Sequence, residues 1–140
     1  MDEKLIAALI GIVAGGLGYW INAFWMKPIL QYRDLRTKVF GDFIFYAQVV
    51  NADGLNDRMK QLYDERVFSN RRSSADLAAC LTDLPGWYKF WLRCRGHDPN
   101  AAVAQLIGYS NTTDWDYADK RQRSIQRALG FKHNEPNREA

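Results

Sequence analysis

Histidine and cysteine are scarce in this sequence: two of each in 140 residues, at positions 97, 133, 80 and 94. They do not form a zinc-ligand set, so no metal is expected. There is no P-loop, no glycine fingerprint of a dinucleotide-binding turn and no Gly-x-Ser-x-Gly elbow. The best-marked enzyme classes are thereby removed. No catalytic residue is assigned, no cofactor is expected, and the chain reads as a non-enzyme. Strand signals are missing as well: no segment alternates polar and apolar residues with period two, and internal repeats and low-complexity tracts are absent. A strong charge of either sign is lacking too, since 19 Lys/Arg stand against 16 Asp/Glu for a net charge of +3.

Aromatic residues are plentiful, at 14% with five tryptophans, which is enough apolar surface to exclude wholesale disorder. The most distinctive stretch is Leu5 to Met26, LIAALIGIVAGGLGYWINAFWM, which carries no charged side chain. As a helix it is about 33 Å long, sufficient to cross the hydrocarbon core of a bilayer. Tyr19, Trp20 and Trp25 lie toward its C-terminal end, where amphipathic rings favour the membrane interface. Lys27 and Pro28 close the run. A cleaved signal peptide is the competing reading, but bulky aromatics stand where small residues should mark the cleavage site. Lys4 is the one basic side chain before the segment, whereas Lys27, Arg33, Arg36 and Lys38 follow it. That bias predicts an inner-membrane protein with its N-terminus outside and its C-terminal domain in the cytoplasm.

Ala7, Gly11, Gly15 and Gly18 fall near one face of this helix, with Asn22 beside them. Gly11-x-x-x-Gly15 is a small-x-x-x-small spacing that lets two backbones approach closely, and Asn22 adds a hydrogen-bonding group. This stripe is the candidate interface of a homo-oligomer, although glycine is common in membrane helices generally.

From Lys27 onward, 18 Lys/Arg face 14 Asp/Glu, about +4. Such a surface suits anionic lipid, nucleotide or RNA without requiring any of them. Pro28 opens a second helix to about residue 52, continuing from the first with a bend, and its Val39–Val50 stretch reads as a buried core helix, with a membrane-surface helix as the alternative. Asn51-Ala52-Asp53-Gly54 is a turn signal. Apolar residues from Leu55 to Leu84 predict one long helix, or two in line broken near Ser69-Asn70, ended by Pro85. A short helix, WYKFWLRCR, stops at Gly96. Asp98 and Pro99 start the next, and Thr113 with Asp116 resembles a capping box opening a last helix to Leu129. The expected fold is all-α: one N-terminal transmembrane helix (1–27), a compact helical-bundle cytoplasmic domain (28–131) and a polar tail (132–140).

Two basic groups are candidates for binding an anion or nucleic acid. Lys89, Arg93, Arg95 and His97 surround the aromatic cluster Trp87, Tyr88, Phe90 and Trp91, a combination able to hold a base and a phosphate. Burial of those rings in the core is the simpler expectation. Lys120, Arg123 and Arg127 form a stripe on the last helix, suited to lipid headgroups or an acidic partner, or else simply solvated. Cys80 and Cys94 are expected as reduced core thiols in a cytoplasmic domain, or as one disulfide in an oxidising compartment.

Arg93-x-x-x-His97 resembles the Arg-x(4–6)-His pair of the HEPN ribonucleases, which positions RNA phosphate and moves protons. The spacing here is one residue shorter, and Cys94 stands where that family has Asn or Asp. In outline the chain is similar to small bacterial single-pass inner-membrane proteins. Its layout also resembles the membrane-pore accessory protein of RNA-targeting CRISPR systems. That resemblance implies a ring or pore in antiviral defence; the sequence itself leaves open an anchored ribonuclease or a tether for a soluble complex. The partners expected are a lipid bilayer, a second copy of the chain, and a protein or nucleotide/RNA ligand.

Overall fold

The computed structural model describes residues 2–50 and 53–132. All the regular structure among them is helical: α1 (Glu3–Ile21), α2 (Lys27–Phe45), α3 (Asp57–Asp83), α4 (Gly86–Cys94), α5 (Pro99–Ser110) and α6 (Trp115–Ala128). The predicted all-α class is therefore observed. One helix is long and apolar enough to cross a membrane by length and composition, and no residue of α1 is buried.

α1 and α2 are not separated at the proline. Pro28 has no N–H to offer the Phe24 carbonyl, and in a regular helix its ring would press on that carbonyl. The chain relieves this with one π turn, Asn22–Met26, in which the Lys27 N–H reaches back five residues to the Asn22 carbonyl. The helix thereby runs unbroken for 43 residues, Glu3–Phe45, about 65 Å.

α2 ends at Phe45 rather than near residue 52. Tyr46 leaves the helix (φ −94°, ψ 11°), and Val49 and Val50 are buried beyond it. The predicted core helix over Val39–Val50 needs a second correction: Phe40, Ile44 and Phe45 are exposed, so Val39, Phe43 and the two valines carry the burial. Of the expected turn, Asn51 and Ala52 lie outside the described residues, while Asp53 and Gly54 do form a turn.

α3 begins at Asn56, whose side chain accepts from the Met59 N–H at 2.9 Å, and passes Ser69-Asn70 without a break. Both side chains are committed: Ser69 Oγ donates to Asp42 Oδ2 (2.6 Å) and Asn70 Nδ2 to the Arg66 carbonyl (2.9 Å). Ser69 is thereby drawn off its own helix backbone, and Asn70 bonds a carbonyl one turn back in α3 without interrupting the helix. Leu84 is extended (ψ 136°) before Pro85, as the proline requires. Gly96 takes φ +76° after α4, the left-handed conformation that only glycine adopts at little cost. Asp98 caps α5 by accepting from the Ala101 N–H (3.1 Å). α6 is capped by Asp114, which accepts from the Asp116 N–H (2.8 Å), not by Thr113. Aspartate is the stronger N-cap and stands one residue nearer the helix.

α3 packs against α2 and α5, and α5 against α6. α3 runs back along α2, for Ser69 meets Asp42 while Cys80 Sγ approaches the Pro28 carbonyl at 3.7 Å. α5 reverses again, with Ser74 Oγ donating to the Val103 carbonyl (2.9 Å). α6 returns so that the Asp98 N–H meets the Ala128 carbonyl (2.9 Å). Tyr32, Val39, Phe43, Leu77, Leu81, Leu106, Ile125 and Leu129 fill the core between these helices, and α4 contributes Leu92.

Candidate functional site

The α4 C-terminus and the α5 N-terminus meet at an angle, set by the left-handed Gly96 and the Asp98 cap. Between them lies a cleft of about 600 Å³ lined by Lys89, Arg93, His97, Asp98, Pro99 and Asn100, with Leu81 and Leu92 as its apolar part. Lys89 and Arg93 are one turn apart on the exposed side of α4. Arg95, the fourth predicted cation, is not part of that cleft; its guanidinium lies over the Trp91 ring at 4.3 Å.

His97 is half-buried, and its ring packs against Gly130 so closely that a Cβ there would collide with the imidazole. Burial, then Arg36 and Arg95, hold its pKa below the ordinary 6.5. The imidazole is therefore neutral at neutral pH. Nδ1 is buried without a hydrogen-bond partner, and Asp98, the adjacent carboxylate, is engaged at the α5 N-terminus. Among the described residues no hydrogen bond joins His97 to a carboxylate that would orient it for proton transfer. Arg93 and His97 do share the cleft, yet it offers no proton relay: the Lys89 and Arg93 cations line it together with the Asp98 carboxylate, which already occupies the α5 N-terminus. Among the described residues no group of three or more His, Cys, Asp and Glu is placed to hold a metal ion.

Two sequence expectations about this region change. Trp87, Phe90 and Trp91 are 53%, 66% and 40% exposed instead of lying in the core, and Tyr88 alone of the cluster is half-buried. Cys80 is buried but Cys94 is exposed, and both are free thiols. The reason is one of helical phase: Leu92 and Tyr88 share the inward side of α4, which leaves Trp87, Phe90, Trp91 and Cys94 on another side.

The other predicted sets lie apart from the cleft. Lys120, Arg123 and Arg127 are exposed on α6, where Arg123 pairs with Asp119 at 2.7 Å and Lys120 lies over the Tyr117 ring. Ala7, Gly11, Gly15, Gly18 and Asn22 are all exposed on the long helix, and nothing approaches within 4 Å of where a Cβ would stand on the three glycines.

Sequence reasoning missed Arg66. It is fully buried, and Nη1 donates to the carbonyls of Val49 (3.3 Å) and Val50 (3.1 Å). Nη2 donates to those of Tyr109 (2.9 Å) and Thr112 (3.3 Å). Tyr109 lies in the last turn of α5 and Thr112 just past it, where partial negative charge accumulates, and Val49 and Val50 belong to the loop after α2. The Tyr109 ring completes the socket at 4.8 Å. The available signal was the polar interruption of the α3 stripe at positions 66, 70 and 73, all three of them buried. No protein-family model, curated protein or solved structure matches this chain.

Proposed function

We propose that this is a self-associating, single-pass inner-membrane protein whose helical domain faces the cytoplasm and binds a partner or signal. The observation that carries the reading is the state of α1: from Leu5 onward it is apolar without a charged side chain, and none of its residues is buried by the rest of the chain. In water such a surface is unfavourable by roughly 25 cal/mol per Å², so a bilayer or another chain must cover it. The Lys/Arg excess after the segment favours the cytoplasmic side for the domain. The open glycine face supports close approach of a second α1. A ring or pore acting in antiviral defence is the most specific form of this proposal.

The test is alkaline extraction of membranes followed by crosslinking of the full-length chain in the bilayer. Release by alkali would defeat the membrane reading. Gly11→Leu with Gly15→Leu should abolish the crosslinked oligomer, and an oligomer that survives the pair unchanged would defeat the interface.

An anchored nuclease is the second reading, favoured by one observation: Arg93 and His97 line the same cleft. It requires RNA cleavage by the purified protein that disappears in both Arg93→Ala and His97→Ala.

A further inference from the structure

α4 has two apolar sides, and the helical body uses only one. Leu92 is buried in the core, and Tyr88 packs edge-on against the buried Tyr32 with ring centroids 6.2 Å apart. Trp87, Phe90, Trp91 and Cys94, spaced 0, 3, 4 and 7 residues, form the second side and are all exposed. A nine-residue helix that leaves three large aromatic rings uncovered is seated against something else.

Where α4 sits identifies its neighbour. α3 brings Cys80 back to Pro28, so α4 starts at the end of the body adjoining the apolar segment. Trp87 then meets Trp25 edge-on at 6.1 Å. Trp25 in turn packs on Trp20 at 6.0 Å, and Trp20 on Phe24 at 5.4 Å. On the other side Trp87 contacts Tyr88 at 5.7 Å, and Tyr88 stacks on Trp91 at 5.3 Å. One connected line of rings thus leads from inside the charge-free segment onto the exposed side of α4. Tryptophan and tyrosine concentrate at the headgroup level of a bilayer because one part of the ring system is apolar and the other donates a hydrogen bond. Lys89 and Arg93 on the same short helix, with Arg95 at its C-terminal cap, supply cations for lipid phosphate, and the apolar stems of such side chains tolerate the interface.

We infer that the Trp87–Phe90–Trp91 side of α4 is a lipid-docking surface: it is seated in the headgroup region of the leaflet where α1 ends and holds the body down on the membrane. This rests on α1 spanning the bilayer. The ligand class is a glycerophospholipid surface containing anionic headgroups.

Native Cys94 supplies the probe, because it is exposed beside the three rings while Cys80 is buried. The full-length chain is labelled there with an environment-sensitive fluorophore and reconstituted in phosphatidylcholine vesicles containing phosphatidylglycerol. Lipids brominated just below the headgroup serve as quenchers at Cys94 and Lys60→Cys, and lipids brominated near the acyl-chain ends serve at Val13→Cys. Two reference labels, each in a Cys94→Ser background, are Val13→Cys in α1 and Lys60→Cys at the far end of α3. The expected result is lipid quenching at Cys94 and Val13 and none at Lys60→Cys. Quenching at Val13→Cys with Cys94 behaving like Lys60→Cys overturns the docking surface and leaves the membrane span intact. No quenching at Val13→Cys removes the span and the inference together. Trp87→Ser with Trp91→Ser should lower the Cys94 signal to the Lys60→Cys level without altering Val13→Cys; an unchanged Cys94 signal overturns the role given to these rings. Spin labels at Cys94 that couple between chains would show a second copy covering this side and would also overturn it.

Discussion

Arg66 provides the sharpest test of how the body is held together. Its guanidinium cation has no carboxylate partner among the described residues; four backbone carbonyls satisfy it instead. Two of those contacts, at 2.9 and 3.1 Å, have ordinary hydrogen-bond length, while the two at 3.3 Å are at the long end. A hydrogen bond from a charged donor contributes about 1.5–3 kcal/mol net, so the two better contacts alone amount to about 3–6 kcal/mol. Arg66→Met keeps most of the apolar stem but takes a charged donor away from the carbonyls of Val49, Val50 and Thr112, while Tyr109 keeps only the Thr112 N–H at 3.2 Å. Water reaching the loop after α2 recovers part of this, and a loss of about 3 kcal/mol remains. That is a large fraction of the roughly 5–15 kcal/mol typical of a folded domain.

The assay is guanidinium unfolding of the full-length protein in detergent, followed by the helical circular dichroism of the body. With a slope of about 3 kcal/mol per M, the midpoint should fall by about 1 M. Arg66→Lys should recover less than half of the loss, because a single ammonium cannot span both pairs of carbonyls as the planar fork does. A change below about 0.5 kcal/mol in Arg66→Met, the range of ordinary surface substitutions, would refute the assignment of Arg66 as the clasp between α2, α3 and α5.

Three further outcomes are expected. His97 is held neutral in the native state by burial and by Arg36 and Arg95, so below about pH 6.5 the unfolded chain takes a proton that the native state resists. Stability should be fully present above that pH and decline as the pH falls through it. Melting temperatures at about pH 7.5 and 5.5 should differ more in the parent than in His97→Gln, and equal slopes would remove His97 as the cause. Gly130→Ala places a Cβ at φ +78° and into the His97 ring; it should cost about 1–2 kcal/mol from the backbone conformation alone, and a neutral result by thermal melting would contradict the packing. Tyr32 is fully buried, its hydroxyl has no hydrogen-bond partner, and burial pushes its pKa up to about 12. Tyr32→Phe should therefore be neutral or stabilising by up to about 1 kcal/mol, and a clear destabilisation in the same melt would reveal a partner for the hydroxyl.

Local signals were the legible part of the sequence. Proline, glycine and aspartate placed the ends of α4 and α5 and the stop of α3, because each acts through its own backbone geometry or a side chain reaching two or three residues away. Hydropathy alone marked the apolar segment. What escaped depended on partners distant in the chain. Arg66 meets residues 43 and 46 positions further on, so no window of the sequence contains its reason for being buried. The sequence leaves open whether α3 breaks at Ser69-Asn70, because Asp42, from another helix, takes Ser69 into the packed interface. The aromatic side of α4 was misjudged for a related reason. Periodicity shows that Trp87, Phe90 and Trp91 share a face but not which face meets the core, and Leu92 decides that only once α2 and α3 are in place.

The π turn at Asn22–Met26 has a consequence for how the two halves of the molecule are phased. Trp25, Tyr32, Val39 and Phe43 are separated by seven, seven and four residues, so along one continuous helix they keep nearly the same direction. Trp25 meets α4 through Trp87, and the other three enter the core. The side of the long helix facing the body is thus already set at Trp25, before α2 begins. A π turn carries one more residue than an α turn, and each residue of an α-helix advances the face by about 100°. The glycine side of α1 therefore points about 100° away from where an uninterrupted α-helix would aim it relative to the body. Pro28 forces the irregularity sterically, and the irregularity fixes which way Gly11, Gly15 and Gly18 face when the body is oriented by Trp25 and α4. The glycine stripe and the aromatic side of α4 are consequently held in one relation by a single helix, so in the proposed oligomer the direction of approach of a second α1 would be coupled to the proposed seating of α4 at the end of the apolar segment.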